Sequence, residues 1–80
     1  MKQLARGDFV RLTFGKSSID AMVMIVSPNG RSVMFGFDGS LRTPSGGAVF
    51  GSLPALMDEA GVYRDLVENA VVHIEARTRQ

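Results

Sequence analysis

The chain has 80 residues, a formal net charge of +1 and no cysteine. That length makes one domain, residues 1–80, and the missing thiols exclude both a disulfide staple and a thiolate metal site. With 45% hydrophobic and 21% charged residues it reads as a folded globule, and the balanced charge implies neither a strongly basic DNA binder nor an acidic mimic.

Residues 1–6 form a polar lead expected to fray. The N-terminal stretch lacks the apolar segment of a signal peptide, and no apolar run reaches bilayer-spanning length. The expectation is a cytoplasmic protein with no membrane partner. In Phe9–Phe14, Val10, Leu12 and Phe14 alternate with Phe9, Arg11 and Thr13, the pattern of a half-buried strand. Gly15-Lys-Ser-Ser18 is the turn that follows.

Two apolar runs, Ala21–Val26 and Val33–Phe37, then flank Ser27-Pro-Asn-Gly-Arg-Ser32. Asn29-Gly30 accepts positive φ at little cost, and Pro28 pre-sets its own φ, so the chain reverses there and the runs pair as a β-hairpin. Alternation puts Ala21, Val23 and Ile25 on one face of the first run and Met22, Met24 and Val26 on the other. Both faces are apolar. This is a strand covered twice, or one with a face kept for a partner.

Asp38-Gly39 reads as a second tight turn, Leu41-Arg42 as a strand remnant, and Thr43–Gly47 as a mobile surface loop. Ala48-Val-Phe50 prefers a strand. After it, Leu53, Leu56, Met57 and Ala60 follow helical spacing, with Ser52 and Gly61 suited to cap the ends and Pro54 acceptable in a first turn. Propensity favours a short helix over 53–60. The opposing reading makes Pro54–Met57 an edge strand and Asp58–Gly61 a hairpin loop. Val62–Leu66 is a short strand or bend, Glu68-Asn69 a turn, and Val71–Ala76 a final strand with Val72, Ile74 and Ala76 on one face. Residues 77–80 are a second fraying tail. The sum is mainly β: a small antiparallel five-stranded barrel or strongly curved sheet with at most one short helix, and with Gly36 and Gly51 suited to bulges or corners.

No constellation of residues points to an enzyme. Gly15-Lys16-Ser17 resembles the end of a phosphate-binding loop, but Val10 stands where that motif needs its first glycine and a strand follows instead of a helix. His73 is the single histidine, and Glu75 is the carboxylate on its strand face, an ordinary pairing on a solvated surface. Asp8, Asp38 and Asp58 each sit beside a turn, where Asp bonds backbone. No cofactor, metal or small-molecule substrate is expected.

Charge and sulfur are unevenly spread. Residues 1–43 hold Lys2, Arg6, Arg11, Lys16, Arg31 and Arg42 against Asp8, Asp20 and Asp38, so the first half is basic and the second acidic. Phe9 beside Arg11, and Phe35 or Phe37 near Arg31, offer stacking plus charge of the kind single-strand-binding barrels use. Met22, Met24 and Met34 fall within the central hairpin; Met fills cores but also suits adaptable protein-binding surfaces.

The opening Gly7-Asp-Phe-Val-Arg-Leu12, followed by the Ala21–Val26 strand, resembles the start of SH3-like small barrels, including transcription-linked KOW modules. The glycines that the KOW pattern carries before its second strand are replaced here by Ser17-Ser-Ile-Asp-Ala21, and the match covers the first third of the chain. More broadly, Ser27-Pro-Asn-Gly-Arg-Ser32, Phe37-Asp-Gly39 and Val62-Tyr-Arg-Asp-Leu66 are similar to short proteins of proteobacterial phages and mobile elements. That resemblance implies an accessory protein that binds and blocks a host complex, anti-CRISPR inhibitors being one class.

These readings converge on a non-catalytic protein-binding module whose partner is a host complex or a second copy. The expected contact surface is the Ser27–Ser32 turn with Asn29 and with Arg31 as anchor, the Thr43–Gly47 loop with Arg42, and the basic residues Arg11 and Lys16. The alternative is nucleic-acid binding through the basic first half.

Overall fold

The computed structural model describes residues 4–77; of the tails expected to fray at 1–6 and 77–80, residues 1–3 and 78–80 lie outside the described residues, while Leu4 packs against the core and Arg77 N–H donates to Phe9 O. Six strands form one antiparallel sheet: β1 (Phe9–Phe14), β2 (Ser17–Val26), β3 (Ser32–Arg42), β4 (Ala48–Met57), β5 (Tyr63–Asp65) and β6 (His73–Ala76). Their order is β5-β4-β3-β2-β1-β6. The sheet is strongly curled and barrel-like, and its hollow is filled by Val10, Leu12 and Phe14 of β1, Val23 of β2, Phe35 and Leu41 of β3, and Leu53 of β4. The alternation in Phe9–Phe14 survives intact, with every even position buried. Among the described residues no helix is long and apolar enough to cross a membrane.

Several expectations need correction. There are six strands, not five, and the expected helix over 53–60 is the second half of β4. A helix that short is marginal without tertiary support. In β4 the same residues bond β3 on one side and β5 on the other, and Leu53 and Ala55 enter the core together. Pro54 fits because its carbonyl accepts Leu66 N–H (3.2 Å), which turns its nitrogen toward β5 just beyond that strand's last residue. Asp58–Gly61 is then the loop into β5, as the opposing reading had it.

Asp38-Gly39 is not a hairpin turn. The pairing of β3 with β4 jumps from Gly36↔Ser52 to Ser40↔Phe50, so Phe37, Asp38 and Gly39 bulge opposite Gly51 alone. Gly51, at φ +77°, and Gly39, at φ +103°, supply the backbone conformations this needs. The first turn is also tighter than expected: Ser17 and Ser18 already belong to β2. Thr43–Gly47 is a hydrogen-bonded hairpin turn instead of a loose loop. Thr43 is buried, its N–H donates to Gly47 O (2.9 Å), and its hydroxyl accepts Gly47 N–H (3.0 Å).

The two ends of the sheet are joined. Asp65 N–H donates to Ala70 O and Val72 N–H to Tyr63 O, so the lead into β6 pairs with β5 before β6 crosses to β1. Asp65 organises the connecting turn. The residue is 1% exposed, and its carboxylate accepts N–H bonds from Val67 (2.9 Å), Glu68 (2.7 Å) and Ala70 (2.7 Å).

Candidate partner-binding face

Cross-strand partners share a face, so the register sorts every strand residue inward or outward. The outward rows run Phe9–Met22–Gly36–Ser52, then Ile25–Met34–Pro54, then Ser32–Leu56–Arg64. Leu66, bonded through its N–H to Pro54 O, extends the middle row. Four neighbouring segments thus present Ile25, Met34, Pro54 and Leu66 side by side. Ile25 and Leu66 are each 62% exposed, and Met24 and Leu56 flank them, also exposed. Further along β4, Phe50 stands opposite Ser40 on the same face and is 76% exposed.

A bulge in β2 creates this patch. The pairing passes from Val23↔Phe35 to Ile25↔Met34 and skips Met24. One extra residue inverts the alternation beyond it. Ile25, expected beside Ala21 and Val23, therefore moves to the outer face, while Val26 turns inward against Val33 and packs on the core. Met24 lies across Gly36: a Cβ at Gly36 would sit 2.8 Å from Met24 Cγ. Beside it, Phe9, Met22, Gly36, Asp20 and Arg77 line a shallow depression of about 360 Å³.

The expected contact residues do not form one cluster. The Ser27–Ser32 turn and the Thr43–Gly47 turn lie at opposite ends of β3. Asn29 builds the first turn, its Oδ1 accepting from Ser27 Oγ (2.7 Å) and Arg31 N–H (3.0 Å). The Arg31 guanidinium donates to Met57 O (3.0 Å), at the Leu56 end of the patch. At the far end, Arg42 donates through its backbone to Ser17 Oγ (3.4 Å) and through its guanidinium to Gly46 O (3.3 Å). Lys16 and Arg42 line one side-to-side recess there with Pro44. Among the described residues no carboxylate comes within salt-bridge distance of Lys16, Arg31 or Arg42.

Arg11 is different. It meets Asp20 directly across β1–β2 at 2.9 Å, and Arg77 approaches the same carboxylate at 3.5 Å. Phe35 is fully buried and Phe37 packs against the core, so neither offers a ring to stack on near Arg31. His73 is exposed opposite Thr13, and among the described residues no three His, Asp or Glu side chains gather as metal ligands would.

Asp58 bonds within its own loop, whereas Glu68 reaches across to Ser45 in the β3–β4 turn. Asp58 is held below the usual carboxylate range chiefly by Val62 N–H (3.0 Å), with the Arg64 guanidinium (3.1 Å) and Ala60 N–H (2.9 Å) adding to it against some desolvation. Glu68 is likewise lowered, first by the Ser45 hydroxyl and then by that of Thr43. Burial pushes the Tyr63 phenol up, and its hydroxyl donates to Gly30 O (2.9 Å).

Sequence reading found the methionines of the face but not Ile25, Phe50, Leu56 or Leu66. Gly36 was the one available signal, since a glycine inside an apolar strand marks a bulge or a close approach. No protein-family model matches the chain, and neither a curated protein nor a solved structure matches it.

Proposed function

We propose that this protein is a non-catalytic binding module that docks a protein partner on the outer face of β2–β4. The observation that carries this reading is the contiguous row Ile25–Met34–Pro54–Leu66, flanked by Met24 and Leu56 and left open on a sheet whose core is already complete on the other side. Scattered apolar residues on a surface need no explanation, but a connected patch across several strands is characteristic of an interaction site. Flexible Met24 and Met34 suit a contact that must adapt, and the depression beside Gly36 offers room for an apolar anchor. The partner we assign is a host complex, in keeping with the resemblance to phage and mobile-element accessory proteins.

Affinity capture from a native lysate, with mass spectrometry as readout, tests the reading. The wild type is compared with Ile25→Lys, a change at an exposed position that leaves the core untouched. The expected outcome is a protein enriched by the wild type and lost with the variant, at an unaltered melting temperature. Equal enrichment by both chains, or none by either, overturns it.

A further inference from the structure

Cations stand beyond the apolar outer face, at the two ends of the sheet, and not within its Ile25–Met34–Pro54–Leu66 row. Arg31 stands at one end of β3, and Arg42 with Lys16 at the other. Between them the outward side chains are apolar or small, from Leu56 and Met34 to Phe50 and Ser40. Asp20, the nearest strand carboxylate on the β1 side, is already shared by Arg11 and Arg77, and Asp58 is held by Arg64. Asp38 is exposed in the β3 bulge between the two cationic ends, and Glu68 at the Arg42 end is engaged by Ser45.

Resting on the binding-module reading, we propose that the occupant of this face is an acidic protein segment: apolar side chains over Met24, Met34 and Phe50, with carboxylates at both ends to meet Arg31 and the Lys16–Arg42 pair. Complementary charge at the rim of an apolar contact sets partner choice and raises the association rate. A second copy of the chain is the wrong complement. Two copies packed through this face are related by a two-fold axis lying in it. An axis across the strands brings the Arg31 end onto the copy's Arg42 end. One along the strands sets each end on its own kind. With the strands of the two copies aligned, cations meet cations either way. A nucleic acid fits poorly too, because a phosphate backbone needs cations along its path, whereas these sit about 30 Å apart at the ends of an eleven-residue strand with an apolar middle.

The spacing defines the probe. An extended peptide of about 12 residues spans it. One version has an apolar centre and two Glu at each end, and its counterpart has two Lys at each end. Methionine-methyl NMR of the full chain reports on the face directly. The Glu-ended peptide is expected to shift the Met24 and Met34 methyls, and the Lys-ended one to leave them in place. Arg31→Glu/Arg42→Glu is expected to weaken the Glu-ended peptide about tenfold, with high salt acting in the same direction. Lys16→Glu/Arg42→Glu, which spares the Arg31–Met57 contact, repeats the test if the first variant unfolds. Equal binding of the two peptides, no shift at millimolar peptide, or undiminished binding by a folded variant overturns the proposal. So do methyl shifts that grow with protein concentration alone, which identify a second copy, or shifts produced only by a duplex oligonucleotide. A lysate partner lost with Ile25→Lys but kept by the charge-reversed variants would leave the binding module standing and remove the acidic partner.

Discussion

Asp65 shows how much one side chain can organise. It is a buried carboxylate that accepts three backbone N–H bonds within its own turn, and that turn links β5 to the lead into β6. Hydrogen bonds to a charged group are worth roughly 1.5–3 kcal/mol each in favourable cases, and their loss strands three donors. Asp65→Ala should therefore cost about 3 kcal/mol, a fall of roughly 12–24 °C in melting temperature for a domain this small. A thermal scan within a few degrees of the wild type would show the turn to be held by something else. Tyr63 acts from the opposite side, tying β5 to the β2–β3 turn through Gly30 O. Tyr63→Phe keeps the ring and loses only that bond, for an expected cost of about 1 kcal/mol by chemical denaturation. Asp58 was legible as a turn residue because its neighbours need local acceptors. Asp65 was not, since nothing in Val62-Tyr-Arg-Asp-Leu66 shows which carboxylate ends up inside.

Strand β4 carries two lessons about local signals. Its second half has helical spacing at Leu53, Leu56 and Met57, yet it is a strand because β3 and β5 satisfy its backbone from both sides. A few residues of intrinsic preference, worth tenths of a kcal/mol each, cannot compete with two ladders and the burial of Leu53 and Ala55. Its first half contains Gly51, the single residue facing the three-residue bulge of β3. A Cβ there would touch nothing within 4 Å, so the cost of Gly51→Ala comes from the φ of +77° alone. The expectation is a loss of about 1–2 kcal/mol with an unchanged denaturant slope. Stability equal to the wild type would mean that the bulge adapts to an alanine. The bulges at Met24 in β2 and at Phe37–Gly39 in β3 both interrupt the register behind the outer face, and the first of them exposes Ile25.

For the molecule as a whole, acid is the most direct probe of its connections. Asp58 holds the β4–β5 loop, and Glu68 ties the β5–β6 turn to Ser45 in the β3–β4 turn. Both carboxyls are lowered in the folded chain from ordinary values of 3.8 and 4.5. A depressed folded-state value stabilises at pH above the unfolded value, and that stability is lost as pH falls through the folded one. Melting temperature should accordingly be level between about pH 5 and 8 and decline below about pH 4.5. Asp58→Asn/Glu68→Gln should flatten the acid limb. An identical acid limb in wild type and variant would assign the effect to other groups.

The β class, the central hairpin at Asn29-Gly30, the strand Phe9–Phe14 and the basic first half were all readable from residue order, because alternation and turn chemistry act over a few neighbours. The helix-or-strand choice at 53–57, the exposure of Ile25 and the separation of Arg31 from Arg42 were not. Each depends on which distant strand lies alongside and in what register. A single bulged residue, Met24, exchanges inside for outside along everything after it in β2.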